Sequence, residues 1–113
     1  MWLYTRQINI CTYFTQGVEH IPVSISTSAH IELSKDLKLG ILIASLCLEL
    51  DSRRCVTYRC RVVEGRLDNC RVVDGDEEVH IYLVNVLRFD VRQLLETYLE
   101  TAKLAISTGR EQK

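Results

Sequence analysis

A six-residue phrase occurs twice, ten residues apart: Cys60-Arg-Val-Val-Glu-Gly65 and Cys70-Arg-Val-Val-Asp-Gly75. A β-branched pair running into an acid and a glycine is a strand end meeting a tight turn. Two copies are too few for a solenoid, so the phrases are read as two similar hairpin ends, successive arms of a meander. The pattern extends upstream, where Cys55 to Val63 alternates Val56, Tyr58, Cys60 and Val62 against Thr57, Arg59 and Arg61. Ahead of it, Asp51-Ser52-Arg53-Arg54 reads as a turn. This half of the chain is constrained to an antiparallel sheet.

The flanking segments follow the same logic. Residues 2–14 are dense in Trp, Tyr, Ile and Thr, with Trp2, Tyr4, Arg6, Ile8, Ile10 and Phe14 as the more apolar parity of one long strand. Gln16-Gly17 ends it, and Ile21 to Ile25 resumes an extended pattern whose Pro22 belongs at an edge or a bulge. Residues 37–50 fit two descriptions. Leu37, Ile41, Ala44 and Leu48 share a helical face, whereas Leu42, Ala44, Leu46, Leu48 and Leu50 share a strand face after Gly40. The neighbouring strands favour a strand over 41–50 with Leu42, Leu46 and Leu48 inside. Val79 to Leu87 reads as a further β-rich run. Asp90, with Gln93 three residues on, opens an amphipathic helix over 91–107 whose stripe is Val91, Leu94, Leu95, Tyr98, Ala102 and Ala105; Gly109 stops it.

A chain of 113 residues makes one domain, placed at 1–109, with 110–113 expected to fray. Its net charge of -1 supplies no global field toward nucleic acid or membrane. Met1 to Ile10 has no basic stretch leading into an apolar core, and Leu37 to Leu50 is too short to span a bilayer. A cytoplasmic location without membrane insertion is the expectation, and with it five reduced cysteines.

Cys55, Cys60, Cys70 and His80 raise the question of zinc. They lack the paired knuckle spacing of a structural site, and five residues along one strand set Cys55 and Cys60 on opposite faces. Buried thiols acting as small hydrophobes are expected instead, with no metal and no cofactor. His20, His30 and His80 have no nucleophile or carboxylate at a catalytic spacing, so a non-enzymatic domain is expected. The assertive feature is cationic: Arg53, Arg54, Arg59, Arg61, Arg66 and Arg71 fall within nineteen residues. Arg59 and Arg61 share a strand face, where forked guanidiniums can grip phosphates or simply discourage edge pairing.

The order of elements, an extended segment, a Ser-rich loop, Ile31-Glu-Leu33, Leu37-Lys-Leu-Gly40, alternating strands and Ile81-Tyr-Leu-Val-Asn85 before Arg92-Gln-Leu-Leu-Glu-Thr-Tyr-Leu99, resembles a PilZ domain over roughly 22–100. That resemblance implies a mainly β fold, a six-stranded antiparallel barrel with a C-terminal α-helix, in bacterial cyclic di-GMP signalling. Ligand-binding members carry an upstream RxxxR pair and a D/N-x-S-x-x-G motif. Here Ser26 matches the motif serine, Ser24 replaces the acid or amide, Ala29 replaces the glycine, and Arg6 alone stands upstream. The resemblance therefore implies an adaptor that acts on a protein partner, with weak or no cyclic di-GMP binding. Two alternatives use the same cations. One is a divergent cyclic di-GMP receptor built on Ser24, Ser26, Arg53, Arg54, Arg59 and Arg61. The other is a small nucleic-acid-binding β-barrel, to which the net charge lends no support.

Overall fold

A computed structural model describes residues 1–49 and 53–109. Its strands are β1 (Trp2–Gln16), β2 (Glu19–Leu33), β3 (Gly40–Glu49), β4 (Arg53–Val63) and β5 (Arg66–Gly75). They form one five-stranded antiparallel sheet in the order β1-β2-β3-β4-β5. The expected barrel had six strands; among the described residues there are five, and β1 and β5 lie at opposite edges without closing the sheet.

The sixth strand is missing because residues 77–86 are helical. A short helix α1 (Glu77–Ile81) runs into a π-helical turn (Tyr82–Val86). The Val-rich composition of 79–87 suggested a strand, yet Val79, Leu83 and Leu87 recur every four residues and are the buried members of the segment. The start is fixed locally: Asp76 caps α1 by accepting from the Glu78 N–H at 2.9 Å, and Glu77 and Glu78 suit the positive end of its dipole. Gly75 ends β5 at φ 90°, where a Cβ would stand 2.5 Å from the Cys55 carbonyl oxygen.

The other strands follow the alternation. In β3, Leu42 and Leu46 are fully buried and Leu48 is 3% exposed, as the strand reading of 41–50 requires; Leu50 lies outside the described residues. Pro22 sits opposite Tyr13 in β2, before pairing with β3 begins at Ser24, so its missing N–H interrupts no central ladder. Of the expected turn at 51–54, Arg53 and Arg54 already belong to β4, while 51 and 52 lie outside the described residues, as does the tail at 110–113. Glu64 and Gly65, both at positive φ, make the two-residue link from β4 to β5.

The repeated phrase thereby lays Cys60 beside Cys70, and the two are joined in a disulfide. A second disulfide joins Cys47 to Cys55, directly opposite each other across β3 and β4. The expectation of five thiols is thus corrected: Cys11 is the free cysteine among the described residues. Reading spacing along one strand separated Cys55 from Cys60 correctly, but it could not see partners on adjacent strands.

Helix α2 (Val91–Thr108) covers one face of the sheet. Asp90 accepts from the Gln93 N–H at 2.9 Å, and Gly109 closes the other end at φ 74°. Leu94, Leu95, Tyr98, Leu99, Ala102 and Ile106 are buried against Val23, Ile25, Leu42, Leu46, Val56 and Val62 in one core. Lys103 fastens the helix to the β4–β5 turn by donating to the Gly65 carbonyl at 2.9 Å. No helix among the described residues is long and apolar enough to cross a membrane. Because Leu95 is 2% exposed, Leu95→Ala should lower unfolding stability by roughly 2–5 kcal/mol in a denaturant titration. A change near zero would show that α2 does not depend on this contact.

Candidate functional site

The face of the sheet turned away from α2 is polar. Ser24, Ser26, Ser28 and His30 of β2 alternate with the buried Ile25, Thr27, Ala29 and Ile31. Cross-strand register aligns Ser24 with Glu49 and Arg53, Ser26 with Cys47 and Cys55, and His30 with Ile43 and Arg59. Five of the six residues singled out from sequence, Ser24, Ser26, Arg53, Arg59 and Arg61, therefore share this face. They do not converge. Arg53 and Arg61 are eight positions apart on one strand, about 26 Å at strand rise.

Nor are all the cations available. Arg53 donates to Glu49 at 2.7 Å. Arg54 takes the opposite parity and ion-pairs with Asp76, and with Glu78 at 3.3 Å. That pairing raises the Arg54 pKa, through the hydrogen bonds it donates to Asp76 and Glu78, and lowers that of Asp76. Both groups are exposed, so the effect on stability is small. Arg59 and Arg61 have no ion pair among the described residues and project side by side, as their spacing predicts. Ala29, at the position of the family glycine, faces α2 at 4% exposure, away from Ser24 and Ser26.

The polar face has hollows of about 550 Å³ beside Thr5, Ser28, His30 and Ser45 and about 200 Å³ beside Ser26, Cys47 and Arg53; a more apolar one lies elsewhere. A cavity of about 600 Å³ opens between β4–β5, the α1–π-turn segment and the first turn of α2. Val72, Val84, Phe89, Val91 and Leu95 give it apolar walls, and Arg88 and Arg92 give it cations; Arg71, opposite Arg59 in register, starts its side chain from the polar face. Tyr58 and His80 also line it, with the Tyr58 hydroxyl 2.6 Å from His80 Nδ1. Burial pushes the Tyr58 phenol up to about 12, so the hydroxyl keeps its proton at neutral pH and can donate to Nδ1.

His80 is thus a partner of Tyr58 and not of the cysteines it was weighed with for zinc. Cys60 and Cys70 are bonded to each other, and Cys55 is bonded to Cys47. No group of His, Cys, Asp and Glu with metal-holding geometry occurs among the described residues. Sequence reasoning missed Tyr58, Arg88 and Arg92. Tyr58 and His80 are 22 positions apart and carry no local spacing signal.

The two edges of the sheet differ. The β5 edge has register irregularities and carries Arg66, Asp68, Arg71 and Asp74, which discourage further pairing. The β1 edge runs for 15 residues without proline and with Arg6 as its single charge; Leu3 and Tyr13 beside it are well exposed. Compared with protein-family models, curated proteins and solved structures, the chain has no match.

The Tyr58 shift has a measurable sign. A phenol whose folded pKa is raised binds its proton more tightly when folded. The stabilisation is complete below the unfolded value near 10 and is lost as pH rises from there toward 12. Alkaline unfolding of the wild type should therefore include a loss across that window that Tyr58→Phe lacks. Identical alkaline profiles would show that the buried phenol does not set it.

Proposed function

We propose that the chain is a non-enzymatic adaptor that binds a partner protein by accepting an extended segment along β1. The observation that carries this is the open β1 edge: a strand of 15 residues paired with a neighbour on one side only among the described residues, with little charge to repel a visiting strand. The half-buried Ile8, Ile10 and Phe14 beside it offer apolar surface to side chains of an added strand. An adaptor role in cyclic di-GMP signalling is what the PilZ resemblance contributes, and the open five-stranded sheet supports it less than a closed barrel would. The cytoplasmic location is a separate expectation, drawn from the composition of 1–10 and the length of the apolar run at 37–50. The Cys47–Cys55 and Cys60–Cys70 disulfides weigh toward an oxidising compartment instead.

The test uses the exposed thiol. A photo-cross-linker on Cys11 should capture a partner, and amide exchange of the isolated complex should show new protection over residues 2–16. Protection confined to the Arg59–Arg61 face, or no retained protein, would overturn the reading.

A divergent cyclic di-GMP receptor is the second reading, favoured by the unpaired Arg59 and Arg61. Two phosphates and two guanines need several fixed forks on one surface, and here Arg53 and Arg54 are already engaged by carboxylates. Calorimetry with cyclic di-GMP at physiological salt should give no binding, or binding weaker than about micromolar. A tighter constant that disappears on replacing Arg59 and Arg61 would put the receptor reading first.

A further inference from the structure

We infer that the cavity between β5, the π-helical turn and the start of α2 is a binding site for a small organic acid, an anionic head joined to an apolar body. The volume of about 600 Å³ falls in the range of small-molecule sites and is too small for a folded partner. Its charge selects the sign of the ligand. Arg88 and Arg92 stand in the wall against one carboxylate, Asp90, whose Oδ1 is already occupied by the Gln93 N–H. Arg92 is partly engaged, with Nη2 3.4 Å from the Leu67 carbonyl and Nε 3.9 Å from Glu96. Arg88 has no ion pair among the described residues. A guanidinium fork left unpaired beside an apolar pocket matches a phosphate, sulfonate or carboxylate head.

The remainder of the wall selects the body. Val84, Phe89 and Leu95 supply apolar and aromatic surface, while the Tyr58 hydroxyl is already paired with His80 Nδ1. Two features of the backbone are unusual at this place. Arg88 holds φ 53°, a conformation that costs a non-glycine residue energy. The wall before it is a π-helical turn closed by the Leu87 N–H to Tyr82 carbonyl bond at 3.0 Å, a form concentrated at functional sites. Together they carry the Arg88 side chain and Phe89 to the same opening. This site is independent of the β1 edge, so either can fail without the other.

Phenyl phosphate is the probe, titrated into the folded chain and followed by amide chemical shifts, with benzyl alcohol and inorganic phosphate as the arms lacking head or body. Saturable shifts should appear at Val84, Phe89 and Leu95, with both truncated probes at least about tenfold weaker. Arg88→Gln and Arg92→Gln should each weaken phenyl phosphate several-fold, and Val84→Trp should block it by filling the cavity. If Arg88→Gln disturbs the turn, Arg92→Gln alone decides the charge requirement. Equal binding of benzyl alcohol, unchanged binding in Arg92→Gln, or no saturable shift with phenyl phosphate would each overturn the assignment.

Discussion

The fold depends on how α2 is held across an open sheet, and one hydrogen-bonded chain does that. Thr27 is the buried polar residue of the core, at 3% exposure. Its hydroxyl donates to the Ile8 carbonyl at 3.0 Å and so accepts the proton of the Tyr98 hydroxyl. Three elements meet in that chain: β1 through a backbone oxygen, β2 through Thr27 and α2 through Tyr98. In an apolar interior each of these groups would be costly if left alone, so sliding the helix along the sheet would strand them. Hydrophobic burial holds α2 to the sheet; this chain specifies where.

A sheet covered on one face and closed on neither side has to manage two edges and a bare face. The bare face is handled by composition, with Ser, Thr and Arg at alternate positions and a Ser45–Thr57 hydroxyl contact at 3.0 Å. The β5 edge is handled by charge and by irregular register. Its end is buttressed by α1, which the Arg54–Asp76 and Arg54–Glu78 pairs tie to β4. The β1 edge has no comparable protection. Edge strands of soluble proteins are ordinarily blunted, so a long unblunted one is informative about contacts.

The sequence was legible wherever structure is set by neighbours along the chain. Alternation after Gly40 identified β3, the acid-glycine phrases located the ends of two strands, and Asp90 and Gly109 bracketed α2. It misled where two periods coexist in one segment. Val79 to Leu87 is β-branched enough to read as a strand, while its buried Val79, Leu83 and Leu87 repeat every fourth residue. Choosing the strand there also sustained the barrel implied by the family resemblance. Partners brought together by register were invisible. Cys47 faces Cys55 across β3 and β4, and Tyr58 reaches His80 over 22 positions. The arginine cluster was visible as composition, but its division into engaged Arg53 and Arg54 and unpaired Arg59 and Arg61 depends on where acids of other elements fall.

The segment misread from sequence is also the one that joins the two features of interest. On one side of the π-helical turn, Tyr82 packs on Phe14 of β1, ring centroids 6.3 Å apart. On the other, Val84 lines the cavity, and the following residues lead through Arg88 and Phe89 into α2. A strand in this place would have closed the sheet and left neither contact. A π-helical turn instead spends its wider backbone ring on reaching both sides within five residues. Adjacency alone is not coupling, since coupling requires an element with two arrangements that both sites bias. The same helical stretch that keeps the sheet open therefore fixes both the wall of the cavity and the packing behind the far end of β1.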